Sequence, residues 1–176
     1  MKNTITIAFA AFLLTCSLSS QAQKPGKTWA AGFGVEAGIP TGNAGNAFTA
    51  LGGLSGRFSL LAGPGYATIT AGWNVFVPKD IYGLDPQVAL QIPIKAGYKY
   101  IFADHFFVMG ELGYSIFTAY HDNGYGNTAS SSTGGFTYAP QVGVQFGVME
   151  IGVRYESVLV KNDDISFVGF RLGFNF

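Results

Sequence analysis

Histidine, aspartate and serine residues near position 121 are the side chains of this sequence whose types could support catalysis. His121 and Asp122 are adjacent, and Ser130 to Ser132 follow within a segment rich in Gly, Ser and Asn. A histidine that accepts the proton of a serine hydroxyl, and is itself oriented by a carboxylate, creates the nucleophile of many hydrolases. Neighbouring residues of a strand point to opposite faces, however, so His121 and Asp122 are poorly placed to cooperate. We therefore expect no enzyme activity.

The same region offers nitrogen and oxygen ligands for a metal ion. His121 and Asp122 could be joined by Asp163 or Asp164, but carboxylates in loops are usually only solvated. The second histidine, His105, falls in a predicted turn at the opposite end of the molecule. We expect no metal site and no cofactor.

Charged residues are spaced so that about one or two fall on the polar face of each predicted strand. Three acidic and four basic side chains could pair across a narrow interior, where paired charges are tolerated and unpaired ones are costly. The sequence thus predicts a network of charges that plugs a lumen, and the alternative is that the same charges line a path for ions. The predicted network contains Glu36, Arg57, Lys95, Glu111, Arg154, Glu156 and Arg171.

The composition indicates how these residues are positioned. Only 11% of the chain is charged, whereas soluble domains contain about 25%. Hydrophobic residues make up 48% of the sequence, yet no apolar run reaches the ~20 residues that a membrane-spanning helix needs. Apolar residues instead alternate with small polar ones at period two, as in strands that present two different faces. The chain has 10 basic and 10 acidic residues, so it lacks the positive charge that a nucleic-acid partner requires.

The first residues predict export. Lys2 precedes an apolar run from Ile5 to Leu14, and small residues follow up to Ala22. This is the pattern of a secretory signal peptide, which we place at 1–22. Lipoprotein processing at Cys16 is the alternative, although the preceding residues fit it poorly. The mature chain, 23–176, would contain no cysteine and form one domain.

Eight segments of the mature chain predict strands. The connections after the first, third and fifth are long and the others are short, including the one after the seventh, which breaks the alternation; the longest is 119–135. Pro93 and Pro140 fall inside two of the strands, where proline cannot donate to the ladder, so we expect a bulge or a bend near each. The predicted strands cover about 28–39, 48–61, 66–77, 88–100, 106–118, 136–146, 150–160 and 166–176.

Alternation alone does not decide which face meets water. A soluble barrel of lipocalin type has an apolar interior and a charged exterior, and it is the alternative architecture. The polar face here is poor in charge, which favours placing it inside and the apolar face against lipid. Aromatic residues near the strand ends would then form belts at the two membrane interfaces. The predicted periplasmic belt contains Trp29, Tyr66, Tyr98, Tyr100, Phe106, Phe174 and Phe176, and the outer belt contains Trp73, Phe76 and either Phe136 or Tyr138.

The last strand carries the clearest pattern. Large apolar residues occupy every second position back from Phe176, and the residues between them are Gly, Asn or Arg. A terminal Phe after such a strand resembles the C-terminal signature of bacterial outer-membrane β-barrels. The resemblance implies that Phe176 is an assembly signal and that the barrel-assembly machinery binds the C-terminal strand.

Three further runs are similar to strands of small porin-family barrels. Residues 34–42 read GVEAGIPTG, 109–115 read MGELGYS and 151–156 read IGVRYE. Together with Phe176 they resemble the eight-stranded barrel domain of OmpA/OmpX type over the whole mature chain. The resemblance implies an all-β fold, an antiparallel up-and-down transmembrane barrel, in the cell outer membrane after export. It also implies contacts with membrane lipids and lipopolysaccharide, and we expect a monomer.

The resemblance supplies no catalytic or ligand-binding residues. We expect a structural or surface-interaction role in the envelope, with 119–135 as the main external loop. A small porin-like channel for ions or solutes is the alternative, and an outer-membrane lipid-modifying enzyme is a more remote one.

Overall fold

The protein is a closed barrel of eight antiparallel strands. The computed structural model describes residues 28–79, 88–122, 128–160 and 163–176. Each strand pairs with its neighbours in sequence, and the first also pairs with the last, so the all-β up-and-down topology is confirmed. The strands β1 to β8 are Trp29–Thr41, Phe48–Ala62, Gly65–Pro78, Ala89–Phe102, Phe106–Asp122, Thr128–Phe146, Met149–Val160 and Asp163–Asn175, and one short helix, α1, covers Ala44–Ala47.

The strands are staggered around the barrel. Starting from Thr41 on β1, the directly paired residues are Ser166, Ser157, Tyr138, Leu112, Ala96, Ile69 and Phe58, and the circuit returns to β1 at Ala31. Such stagger accompanies strand tilt in every closed barrel, and with eight strands the interior is only wide enough for side chains to fill it. We call the end where β1 begins and β8 ends the terminal end, and the opposite end the loop end.

Alternate side chains separate into an apolar outer wall and a mostly polar interior. Outward positions such as Ile39 and Ile69 are about 60% exposed, whereas the intervening Glu36 and Thr70 are buried. This arrangement is the reverse of a soluble lipocalin-type barrel. Two of the aromatic residues expected in the outer wall face inward instead. Phe76 is fully buried, and Tyr66 pairs directly with the inward-facing Lys99.

The prolines interrupt the ladder without shifting it. Pairing between β3 and β4 is missing beside Pro93, and pairing between β6 and β7 is missing beside Pro140, but each register is the same on both sides of its gap. Neither proline therefore produces the expected bulge, and the alternative expectation, a bend, stays a prediction. Among the described pairings, the one register shift is between Phe48 and Ala50 in β2.

The predicted long loop 119–135 is largely a hairpin. β5 continues to Asp122 and β6 begins at Thr128, and the two pair without interruption from Asp122↔Thr128 down to the barrel. Ser and Thr occur in paired strands as well as in loops, so their presence does not distinguish the two. We call residues 118–122 and 128–135 the arm.

The first connection also differs from its prediction. β1 runs through Pro40 to Thr41 before Gly42 turns the chain with φ of 58°. α1 follows, and its Gly45 carbonyl accepts a hydrogen bond from Lys79. No helix in the described part of the chain is long and apolar enough to cross a membrane.

Candidate functional site

All seven residues of the predicted charge network lie inside the barrel. Each is less than 10% exposed, and Glu111, Lys95 and Arg171 are at 1%. They face inward because all occupy the same alternate positions as the small polar residues of their strands. The interior also contains two charged residues that the predicted network omits, Lys99 and Glu150.

Glu150 is the most heavily paired acid of the lumen. Its carboxylate lies 2.6 Å from Arg57 Nη1, 2.5 Å from Lys99 Nζ and 2.9 Å from Arg171 Nη1. Asn175 donates a further hydrogen bond to it at 3.3 Å. One buried anion therefore holds three cations from β2, β4 and β8, close to the terminal end.

A second group of ion pairs lies nearer the middle of the barrel. Both terminal nitrogens of Arg154 donate to the carboxylate of Glu36, which is the two-pronged geometry that arginine favours. Lys95 lies 2.5 Å from Glu156, and Gln91 donates to the same carboxylate at 2.7 Å. The two groups are continuous because Arg171 Nε lies 3.8 Å from Glu36.

Glu111 is the weakly held acid of the lumen. Neither of its carboxylate oxygens makes a hydrogen bond. The closest cations are Lys95 at 3.6 Å and Arg57 at 4.0 Å. In the described residues the lumen charges are four acids, including Glu150, and five bases, including Lys99.

Inward-facing glycines make room for the long polar side chains. A Cβ on Gly34 would lie 2.7 Å from Arg171 Nε, and one on Gly173 would lie 2.2 Å from Arg171 Nη1. A Cβ on Gly152 would similarly meet Gln141. The guanidinium of Arg171 therefore lies flat over positions that must have no side chain.

An apolar cluster closes the lumen toward the loop end. The ring of Phe76 lies 5.6 Å from that of Phe117 and 5.8 Å from that of Phe167. Arg154 lies over Phe167, 5.6 Å from the ring centroid, so the cluster rests directly on the ion pairs. We call this cluster the apolar cap; its buried members are Leu51, Phe76, Ala89, Phe117, Val158 and Phe167.

The candidate catalytic and metal-binding residues His121, Asp122, Ser130 to Ser132, Asp163 and Asp164 lie on strands at the loop end, and His105 lies at the terminal end. His121 and Asp122 lie on β5, paired with Ala129 and Thr128, and the side chains of 120–130 and of Asp163 are outside the described part. His105 is at the terminal end, where its ring lies 5.0 Å from that of Phe146. Among the described residues, no three His, Cys, Asp or Glu side chains could together hold a metal ion.

Phe176 completes the seam that closes the barrel. Its backbone N–H donates to the Ala31 carbonyl at 2.7 Å, and the Ala31 N–H donates to the Phe176 carbonyl at 3.1 Å. Its ring stacks on Phe33 with centroids 6.0 Å apart. The last residue therefore joins β8 to β1 by both backbone and side chain.

These features define a class of protein: a small closed β-barrel with an apolar outer wall and a lumen filled by ion pairs. Solved structures share this architecture. The chain aligns with Ail, the attachment invasion locus protein of Yersinia pestis, with a TM-score of 0.63 at 12% identity over 84% of this chain and 97% of Ail.

Two other solved barrels are similar to the same extent. The N-terminal β-barrel domain of OprF from Pseudomonas aeruginosa aligns with a TM-score of 0.61 at 10% identity, covering 84% of this chain and 97% of that domain. Neisserial surface protein A aligns with a TM-score of 0.55 at 14% identity, covering 85% and 96%. No protein-family model and no curated protein sequence matches the chain. The comparisons confirm the eight-stranded fold that the OmpA/OmpX resemblance implied.

Proposed function

We propose that this chain is an integral outer-membrane protein with a structural and surface-interaction role. The observation that carries the proposal is the continuous apolar outer wall of a closed barrel. Large side chains such as Ile39, Leu54, Ile94 and Leu112 are more than half exposed on four different strands. An apolar surface that encircles a molecule is far larger than monomeric soluble proteins expose.

Closure suits this barrel to lipid. No water reaches backbone groups in a hydrocarbon core, so a spanning sheet must leave no edge unpaired. The ion pairs are then sealed from lipid by the strands themselves. Acyl chains and lipopolysaccharide are the proposed contacts of the outer wall, and the proposed state is a monomer.

The lengths of the connections support an orientation. The turns 63–64, 103–105 and 147–148 lie at the terminal end, where β1 begins and β8 ends. Barrels of this class have short periplasmic turns and longer external connections. We therefore place the terminal end in the periplasm and the loop end outside, with export directed by 1–22.

The arm is the proposed interaction element. Pairing of β6 with β7 begins at Phe136↔Leu159, so in the described residues 128–135 pair with β5 alone. This free edge contains neither charge nor proline, the features by which proteins usually protect an edge from another strand. An extended segment of a partner could add to it through backbone hydrogen bonds. Ail, named as an attachment protein, and neisserial surface protein A share the barrel that carries it.

Assembly through the last strand is the second proposed partnership. Phe176 and β8 form one side of the closing seam, so the barrel cannot close until this strand is in place. We propose that the barrel-assembly machinery binds this strand before closure.

A closed lumen is preferred to the channel alternative. Ion pairs fill the interior toward the terminal end, and the apolar cap fills it toward the loop end. We also propose no catalytic activity. His121 and Asp122 are consecutive residues of a paired strand, a spacing that does not suit a shared site, and His105 lies at the terminal end, away from the outer rim where a lipid-modifying site would need its base.

Cell fractionation combined with protease treatment tests the proposal. The mature chain is expected in the outer-membrane fraction and should migrate faster on a gel before heating than after it. A protease that cleaves after aromatic residues should cut the protein of intact cells within the arm, at Tyr120, and leave the barrel protected. Folded protein in the soluble fraction would refute the proposal, and cleavage only in broken cells would refute the orientation.

A further inference from the structure

The outer wall carries a cleft where β6 and β7 separate. Pro140 has no N–H to donate, and the pairing of Ala139 and Pro140 with β7 is missing. A cavity of about 480 Å³ opens at this point, within the ~300–1,000 Å³ range of ligand pockets. It is lined by Val108, Met109, Pro140, Gln141, Val142, Val153, Arg154, Tyr155 and Val168.

Gly110 lies next to the cleft, on the β5 side of Pro140. It pairs directly with Pro140 from β5, and it is outward-facing and exposed. A Cβ added to Gly110 would meet no atom within 4 Å. The outer surface therefore has a depression at two adjacent strands, between the outward-facing rings of Tyr98 and Tyr155.

The chemistry of the cleft is that of a hydrocarbon chain. Val108, Val142 and Val153 present apolar surface at its rim. Arg154 and Gln141 line its floor, but their polar ends are turned into the lumen. Arg154 donates to Glu36, and Gln141 Oε1 accepts from Arg57. A ligand here meets apolar side chains and side-chain stems, so it gains from burying methylene groups and not from a charged headgroup.

The geometry points to a binding site for one lipid acyl chain in the cleft beside Pro140. The site rests on the outer-membrane location proposed above, because acyl chains surround the barrel only there. Unlike the lipids around the rest of the wall, this chain lies in a recess and is held on several sides. Pro140 and Gly110 leave room for the acyl chain because both are small, and because pairing with β7 is missing at Pro140.

Native mass spectrometry of the full chain in detergent tests this site, with dioleoylphosphatidylglycerol as the probe. The wild-type barrel is expected to retain one lipid after the micelle is removed. In Gly110→Leu the new side chain, directly beside Pro140, should project over the recess, and loss of about two buried methylenes should weaken binding about tenfold. Val142→Phe, which enlarges a rim residue, should act in the same direction and serves if Gly110→Leu does not fold.

Gly56→Leu is the matched control. Gly56 is also outward-facing on a strand, its added Cβ would meet only the Gly32 carbonyl oxygen at 4.0 Å, and it lies on β2, away from the cleft. This variant should bind the lipid as the wild type does. Replacing the probe by dioleoylphosphatidylethanolamine should leave binding unchanged, because the chain is recognised and the headgroup is not.

Three results would each overturn the site. The first is a wild-type barrel that retains no lipid. The others are variants Gly110→Leu and Val142→Phe that bind the lipid as tightly as the wild type, and binding that depends on the headgroup. A dimer that Gly110→Leu abolishes would show instead that a second copy fills the recess. Outer-membrane fractionation of the same variants is independent of these results, so it separates failure of the site from failure of the proposed location.

Discussion

The four glutamates of the lumen differ in how closely cations contact them. Glu150 contacts three cations within 3 Å, whereas Glu111 has no hydrogen bond and no cation closer than 3.6 Å. Bases outnumber acids in this lumen, so removal of an acid leaves cations without a partner. Truncating one member of a buried pair is strongly destabilising for that reason.

Glu150→Gln should therefore be the most costly neutralisation in the barrel. It keeps the shape of the side chain but leaves Arg57, Lys99 and Arg171 buried with less counter-charge. We expect a loss of about 3–5 kcal/mol in the free energy of unfolding, measured by urea denaturation of the barrel folded into lipid vesicles.

Glu111→Gln is the matched comparison, because the same change is made at a buried glutamate whose ion pairs are long. Its cost should be less than half that of Glu150→Gln. Equal losses in the two variants would contradict the role given to Glu150.

Gly34→Ala tests whether the inward glycines are required by the ion pairs. The added Cβ would press on the Arg171 guanidinium, and overpacking of this kind costs about 1–3 kcal/mol. Gly56→Ala, on the outer wall, should change the same unfolding free energy by less than about 0.5 kcal/mol, as surface substitutions usually do. A Gly34→Ala barrel as stable as the wild type would show that Arg171 can move aside.

Much of the interior could be predicted residue by residue from alternation. Glu36, Arg57 and Arg171 stand between apolar neighbours, and that pattern places them inside. Glu150 follows the same alternation, two residues before Gly152. The predicted network omits it because it lies at the edge of a predicted turn. The inward orientation of Phe76 could not be predicted from its residue type, because an aromatic side chain is expected inside only where the lumen is apolar.

At the scale of the elements, the strands within the barrel could be predicted and the arm could not. Alternating apolar residues signal strands wherever one face is buried against lipid. Beyond the barrel both faces of β5 and β6 are polar, so Thr128 to Thr133 have the composition of a loop although they pair as strands. The bulges expected at the two prolines are absent for a related reason. The strand pairs on either side of each gap keep the same register in a closed barrel.

Deleting Phe176 should separate assembly in the cell from stability of the finished barrel. We expect the amount of heat-modifiable barrel in the outer membrane to fall severalfold, because β8 loses its terminal contacts with Ala31 and Phe33. The same variant refolded into vesicles should keep most of its stability, since the rest of the β1–β8 pairing is intact.

Phe58→Ala is the control, because it removes an exposed aromatic residue from the outer wall without touching the seam. It should assemble at the wild-type level. Normal assembly of the Phe176 deletion in cells would contradict an assembly role for the last residue.

At the scale of the whole molecule, two kinds of side chain occupy the lumen. Ion pairs occupy it toward the terminal end, and the apolar cap closes it toward the loop end. An ion crossing it would have to separate paired charges and then pass among phenylalanine rings, both of which are costly in a low-dielectric interior.

Recordings in planar lipid bilayers should therefore show no steady conductance for the wild-type barrel. A double variant, Phe76→Ala with Phe167→Ala, should also remain closed, because Arg154 loses the ring it lies over but keeps its hydrogen bonds to Glu36. Steady, ion-selective openings that disappear when Arg57 or Arg154 is neutralised would establish the channel alternative instead.

The two tryptophans report directly on whether the outer wall meets lipid. Trp29 and Trp73 both point outward and are more than half exposed, and no other tryptophan occurs in the chain. The decisive measurement is tryptophan fluorescence of the barrel folded in vesicles whose acyl chains carry bromine, which quenches by contact. We predict strong quenching of each tryptophan in the single-tryptophan variants Trp29→Phe and Trp73→Phe. Unquenched emission from both, with the barrel folded and free in water, would contradict a lipid-facing wall.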